Sequence, residues 1–144
     1  MAETDDCIFC KIIKGEIPCA KVYEDENILA FLDLGQVTKG HTLVIPKQHR
    51  RDIFELDADT AAKLYQRVPM IAKALQATFN PIGLNILNNN GVPAGQTILH
   101  YHIHLIPRYG AEDTFNFTFT GHMDDYSNAD RVSMADAIAS HMSD

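Results

Sequence analysis

Three histidines at alternate positions, His100, His102 and His104, form the stretch of this chain with the most chemistry in it. Tyr101 and Ile103 separate them, and Leu105 and Ile106 follow. Side chains on an extended segment alternate faces, so the three imidazoles share one face and Tyr101, Ile103 and Leu105 take the other. Successive histidine Cα atoms then stand about 6.6–7 Å apart. Imidazoles are poor strand formers and costly to bury without partners. An incidental polar face is therefore the weaker explanation for three of the chain's seven histidines. Two chemistries suit the pattern. One is a three-histidine metal centre with water in its open position. The other is phosphoryl or nucleotidyl transfer, with one imidazole as nucleophile and its neighbours donating to phosphate oxygens. Three histidines on one straight strand diverge too far to meet a single zinc at ~2.0–2.1 Å, which favours the second. Two of them with a ligand from elsewhere could still hold a metal.

Cys7-Ile8-Phe9-Cys10 is the second constellation. Its spacing suits one half of a zinc site, a thiol redox pair, or two half-buried thiols on a short helix. No βαβ pattern surrounds it, which counts against a thioredoxin-like motif. Cys19, in Ile17-Pro18-Cys19-Ala20, has no evident partner and reads as filler. The first six residues are acidic where an export leader is basic and then apolar. With an odd cysteine count, this gives a cytosolic expectation with thiols reduced.

The elements that must position these groups follow from periodicity and punctuation. Cys7 to Lys14 reads as a short helix stopped by Gly15 and Pro18. Lys21–Glu24 and Ile28–Leu32 read as a hairpin about Asp25-Glu26-Asn27, and His41–Ile45 as a third strand ending at Pro46. From Asp59 to Phe79, Leu64, Val68, Ile71, Leu75 and Phe79 make one apolar stripe. Asp57 or Asp59 is its N-cap, and Pro69 predicts a kink or short break. Gly83–Leu87 is a fourth strand, leading through Asn88-Asn89-Asn90-Gly91 into a loop to Gly95. A fifth strand is expected over Thr97–Pro107, and a last helix over Ser133–His141. Hairpins and one long helix without βαβ alternation predict an α+β fold on an antiparallel five-stranded sheet. The expected domain is a single one over residues 1–144, with its core at 7–108 and a C-terminal extension at 109–144.

Composition narrows the function classes. A hydrophobic share of 46% and a charged share of 22% are those of a globular chain. A net charge of −7 argues against nucleic acid or anionic membrane as partner, while a local donor cluster could still hold a small anion. No apolar run approaches the ~20 residues of a membrane-spanning helix. The length is too short for a (β/α)₈ barrel, which takes ~250 residues and carries several His-x-His metallohydrolases.

His100-Tyr101-His102-Ile103-His104-Leu105-Ile106 matches the motif of the histidine triad (HIT) family. So do Cys7–Ile13, Leu29-Ala30-Phe31-Leu32-Asp33, Gly40–Lys47 and Gly95-Gln96-Thr97. The chain resembles the Hint branch of small nucleotide phosphoramidases, in its bacterial form, over about Cys7 to Arg108. The resemblance implies that His102 attacks the α-phosphorus of a purine (AMP-like) nucleotide and that His104 donates to its oxygens. His41 supports the nucleophile, His100 completes the histidine set, and Thr97 keeps a hydroxyl near the leaving group. It assigns Asp33 to the ribose, Ile8, Phe9, Phe31 and Leu43 to the base, and Asn89, Gly95, Gln96 and Ile98 to further nucleotide contacts. It also implies a structural zinc on Cys7, Cys10, His49 and His100, and a homodimer that continues the sheet. Ile106-Pro107-Arg108 departs from the Gly-Gly-Arg ending of animal members, and the extension beyond it bears on the leaving group. His122 and His141, within it, are expected at the surface. A dinucleoside polyphosphate hydrolase of the Fhit-like branch and a non-catalytic nucleotide-binding scaffold are the alternatives.

Overall fold

The computed structural model describes residues 6–143. Five strands form one antiparallel sheet: β1 (Lys21–Glu24), β2 (Ile28–Leu32), β3 (Thr42–Pro46), β4 (Gly83–Leu87) and β5 (Ile103–Arg108), in the order β1-β2-β3-β5-β4. Period-two alternation sorts their side chains onto two buried faces. Ile28 and Ala30 of β2, Val44 of β3, and Ile103 and Leu105 of β5 meet Leu64, Val68, Ile71 and Leu75 from the helices. Leu29, Phe31, Leu43 and Ile45 point the other way and pack on Cys7, Phe9 and Cys10 of the N-terminal segment. Burial on both faces explains why β2 and β3 read as unbroken apolar runs.

Helix α1 (Ile8–Ile13) is the short N-terminal helix expected, and Gly15 follows it at φ +82°. The expected long helix divides just before Pro69, at residues 66–67, into α2 (Ala58–Tyr65) and α3 (Val68–Phe79). Asp57 caps α2 by accepting the Thr60 N–H at 3.1 Å. Pro69 lies in the first turn of α3, where its missing N–H has no helical partner to lose. Asn80 closes that helix in the left-handed conformation (φ 50°), and Pro81 follows.

Two expectations are corrected. The fifth strand is regular only over Ile103–Arg108: its pairing ends at Val44↔Ile103 on β3 and Leu87↔His104 on β4, and the Pro46 carbonyl further along β3 is taken by the His100 side chain. Residues 97–102 approach it as irregular chain, held instead by the Tyr101 N–H on the Arg50 carbonyl (2.6 Å). The last helix, α4 (Asn128–Ser140), starts five residues earlier than Ser133. Ser127 and Asp130 form a capping box there that apolar periodicity could not reveal. No residue of α4 is buried, and His122 and His141 are exposed as expected. Among the described residues no helix is long and apolar enough to cross a membrane.

Candidate functional site

Although residues 100–102 lie outside the regular strand, alternation still governs them. Tyr101 enters the helix-side core with Ile103 and Leu105, while His100, His102 and His104 face the α1 side of the sheet. The Phe9 ring meets His100 and His102 edge-on, with centroids 5.9 and 5.2 Å away. Each imidazole there has one nitrogen committed, and the partner dictates what the other can do.

His102 Nδ1 donates to the His100 carbonyl at 2.7 Å, which leaves a lone pair on Nε2. Burial holds its pKa below the usual histidine value, so the ring is neutral near pH 7. Just before β3, the Val37 N–H donates to His41 Nδ1 at 3.2 Å, so the His41 proton sits on Nε2. That proton points to His104 Nδ1, 2.9 Å away, and His104 therefore carries its own proton on Nε2. Burial, with the neighbouring His102 and His41, lowers the His104 pKa to about 4. The His41 pKa is lowered by burial against the opposing pull of Asp33, whose Oδ2 lies 3.7 Å from Nε2. The site thus offers a neutral nucleophile beside a neutral N–H donor. Asp33, His41 and His104 are also close enough to be considered as a metal set. The hydrogen bond between the two rings already occupies both nitrogens.

The turn that presents His41 is tightly built. Gly40 adopts φ +93°, and a Cβ there would stand 2.8 Å from the Phe79 ring. Gln36 donates to the Asp33 and His41 carbonyls (2.6 and 2.8 Å) and accepts the Gly40 N–H (2.9 Å).

Cys7, Cys10, His49 and His100 are buried together, with their donor atoms within 4.8 Å of one another. His100 donates from Nε2 to the Pro46 carbonyl (2.8 Å) and turns the Nδ1 lone pair toward the cluster. From His100 Nδ1, Cys7 Sγ is at 3.4 Å, Cys10 Sγ at 3.6 Å and His49 Nδ1 at 3.1 Å; Cys10 Sγ is 3.4 Å from His49 Nδ1. Tetrahedral zinc at its usual bond lengths requires edges of about 3.5 Å for N···S and about 3.3 Å for N···N. The donor set fits zinc in type and spacing. The cysteines and histidines lie up to 93 positions apart, joined only by the packing of α1 on the sheet.

Beside α1 lies a cavity of about 290 Å³. Ile8, Phe9, Phe31, Leu43 and Ile98 supply apolar wall, and Asp33 and Thr97 polar edge, so seven of the residues singled out in the sequence share it. Of the ten assigned to the nucleotide and its leaving group, Asn89, Gly95 and Gln96 are elsewhere, and the lining includes none of the histidines. Asn89 lies against Gly95, its Nδ2 3.5 Å from the Gly95 carbonyl. Gln96 is buried and engages the Arg51 and Ile98 carbonyls (2.7 and 3.0 Å) and the Gly91 N–H (2.8 Å). Sequence reasoning missed Gln36, Asn88 and the carbonyls of Pro46 and His100. Of these only the run Asn88-Asn89-Asn90 carries a signal, that of a turn.

A HIT domain model matches residues 14–111. The chain is 54% identical over 138 residues to "Protein hit" of Bacillus subtilis, covering 96% of this chain and 95% of that protein. It is 44% identical over 106 residues to the adenosine 5′-monophosphoramidase of Schizosaccharomyces pombe, covering 74% and 77% of the two chains. The crystal structure of a HIT family protein from Bacillus anthracis superposes with a TM-score of 0.96 at 54% identity, covering 98% of this chain and all of that one. The histidine array and these likenesses agree: the chain belongs to the HIT domain family.

Proposed function

We propose that the protein is a nucleotidyl hydrolase that cleaves purine nucleotide phosphoramidates through a nucleotidyl-histidine intermediate. The observation that carries this reading is the His102 Nδ1–H bond to the His100 carbonyl, which leaves Nε2 as a neutral nucleophile. The base occupies the apolar cavity, and Asp33 accepts hydrogen bonds from the ribose hydroxyls. His102 Nε2 forms a bond to the α-phosphorus as the P–N bond breaks, and the amine takes up a proton from solvent water as it leaves. The positive charge on the substituted imidazole is spread through Nδ1–H onto the carbonyl. His104 Nε2–H donates to the oxygens where negative charge builds, and Thr97 contributes its hydroxyl near the leaving group. Asn89, Gly95 and Gln96 complete the nucleotide contacts, on a loop that Gln96 holds through the Gly91 N–H and the Arg51 carbonyl. Water then cleaves the intermediate, releasing the nucleoside monophosphate and restoring neutral His102.

In the same reading Cys7, Cys10, His49 and His100 hold a structural zinc, which supplies a cross-link between α1, the segment after β3 and the nucleophile's strand. The chain works as a homodimer: β4 is an outer strand with Ile82 and Ile86 exposed, an edge that pairing would cover. Sedimentation velocity tests that part. The sequence expectation of a cytosolic enzyme acting on a small nucleotide, without nucleic acid or membrane as partner, belongs to the same proposal.

The test is hydrolysis of adenosine 5′-phosphoramidate beside a diadenosine polyphosphate, by wild type and His102→Ala. Turnover of the phosphoramidate, lost in a folded His102→Ala protein, is expected. Preference for the polyphosphate, or activity that survives the substitution, overturns the reading.

A further inference from the structure

The regular ladder leaves β4 and β5 at Leu87 and His104, one residue before Asn88 and two after His102. At that point a side chain takes over from the ladder. Asn88 Nδ2 donates to the His102 carbonyl at 2.9 Å. Asn90 Nδ2 donates to Asn88 Oδ1 at 2.6 Å, and the Ile53 N–H donates to Asn90 Oδ1 at 2.7 Å. A backbone donor at one end and a backbone acceptor at the other fix which way both amides face, since flipping either would set like groups against each other. The Ile53 turn is itself held by buried Asp52, which accepts the Phe54 and Glu55 N–H groups (3.1 and 3.2 Å). Asp52 lies three positions beyond His49.

We infer that Asn88 and Asn90 are positioning residues for the nucleophile: the relay Ile53–Asn90–Asn88 holds the His102 peptide in the orientation that aims its Nε2. The inference deepens the proposed hydrolase and rests on that reading. Without the relay, no ladder bond among the described residues takes its place at the His102 carbonyl, and the ring pivots with its peptide about the Nδ1–H bond to His100. In-line attack depends on alignment, so the loss falls on the chemical step and not on nucleotide affinity.

The test uses the full chain carrying Asn88→Ala, Asn88→Asp, Asn90→Ala or both alanines. Asn88→Asp keeps the shape and removes the donor. Either Asn88 variant is expected to lower kcat for adenosine 5′-phosphoramidate by roughly tenfold, the scale of one positional hydrogen bond. The dissociation constant for AMP stays within about twofold. Asn90→Ala loses less, and the double variant is no worse than Asn88→Ala alone, because both act along one line. ¹⁵N-histidine spectra give a readout that needs no turnover. The His102 ring shows one Nδ1–H tautomer in wild type and a mixture, or averaged shifts, in the Asn88 variants. Folded Asn88 variants with wild-type kcat overturn the inference. So does an unchanged His102 spectrum, or equal losses in kcat and AMP affinity. A wild type without phosphoramidate turnover refutes the hydrolase reading instead, and the spectra still decide the relay.

Discussion

His41→Ala isolates one link of the histidine chain. His41 receives the Val37 N–H on Nδ1 and passes its own proton toward His104 Nδ1 at 2.9 Å. Among the described residues the substitution removes the one hydrogen bond of the His104 ring, leaving a half-buried acceptor unsatisfied at a cost of about 1–3 kcal/mol. At about 2–4 °C per kcal/mol for a chain near this size, Tm falls by roughly 2–12 °C. The kinetic effect is separate. With nothing fixing its tautomer, His104 spends part of its time with the proton on Nδ1, unable to donate from Nε2. Outright loss of such a donor costs on the order of 10²–10³ in kcat. His41→Ala should therefore lose about 10–10², less than His104→Ala. Steady-state hydrolysis of adenosine 5′-phosphoramidate, thermal melts and ¹⁵N-histidine spectra of the same samples give the three readouts. If His104 keeps its Nε2–H tautomer in a folded His41→Ala protein, with turnover unchanged, the reasoning from hydrogen-bond direction is wrong.

Three further outcomes follow from the same geometry. Gly40→Ala combines a positive φ with a Cβ 2.8 Å from the Phe79 ring, and together these should cost about 2–5 kcal/mol, read as a lower urea midpoint. Acid should destabilise the protein as pH falls from about 6.5 to 4. His104 stays neutral in the fold down to a pKa of about 4, whereas the unfolded chain protonates it near 6.5, so the unfolded state binds more protons across that window. Urea titrations at pH 5 and 7.5 check the sign, and equal stabilities would contradict it. Cys10→Ser should lose stoichiometric zinc and roughly 10 °C or more of Tm, since Cys10 Sγ lies within 3.6 Å of both histidine donors. A variant that melts like wild type would remove zinc from the account.

Much of this protein was legible locally. The alternation of His100, His102 and His104 with Tyr101, Ile103 and Leu105 gave the faces correctly even where the ladder is absent, because alternation needs only an extended backbone. The stripe from Leu64 to Phe79 marked the helical layer, and Pro69 its interruption, for equally local reasons. What the sequence left open were meetings across the chain. His49 comes to His100 over 51 positions and Cys7 over 93, through the register of β3 on β5 and the seating of α1 on the sheet. That register is set by the burial of both sheet faces at once, which no single window of residues contains. The proton positions were decided later still. Which imidazole nitrogen carries the proton and which keeps its lone pair depends here on the His100 and Pro46 carbonyls and the Val37 N–H. Those are backbone groups that every residue type carries, so their placement leaves no mark in the sequence and exists only in the folded chain.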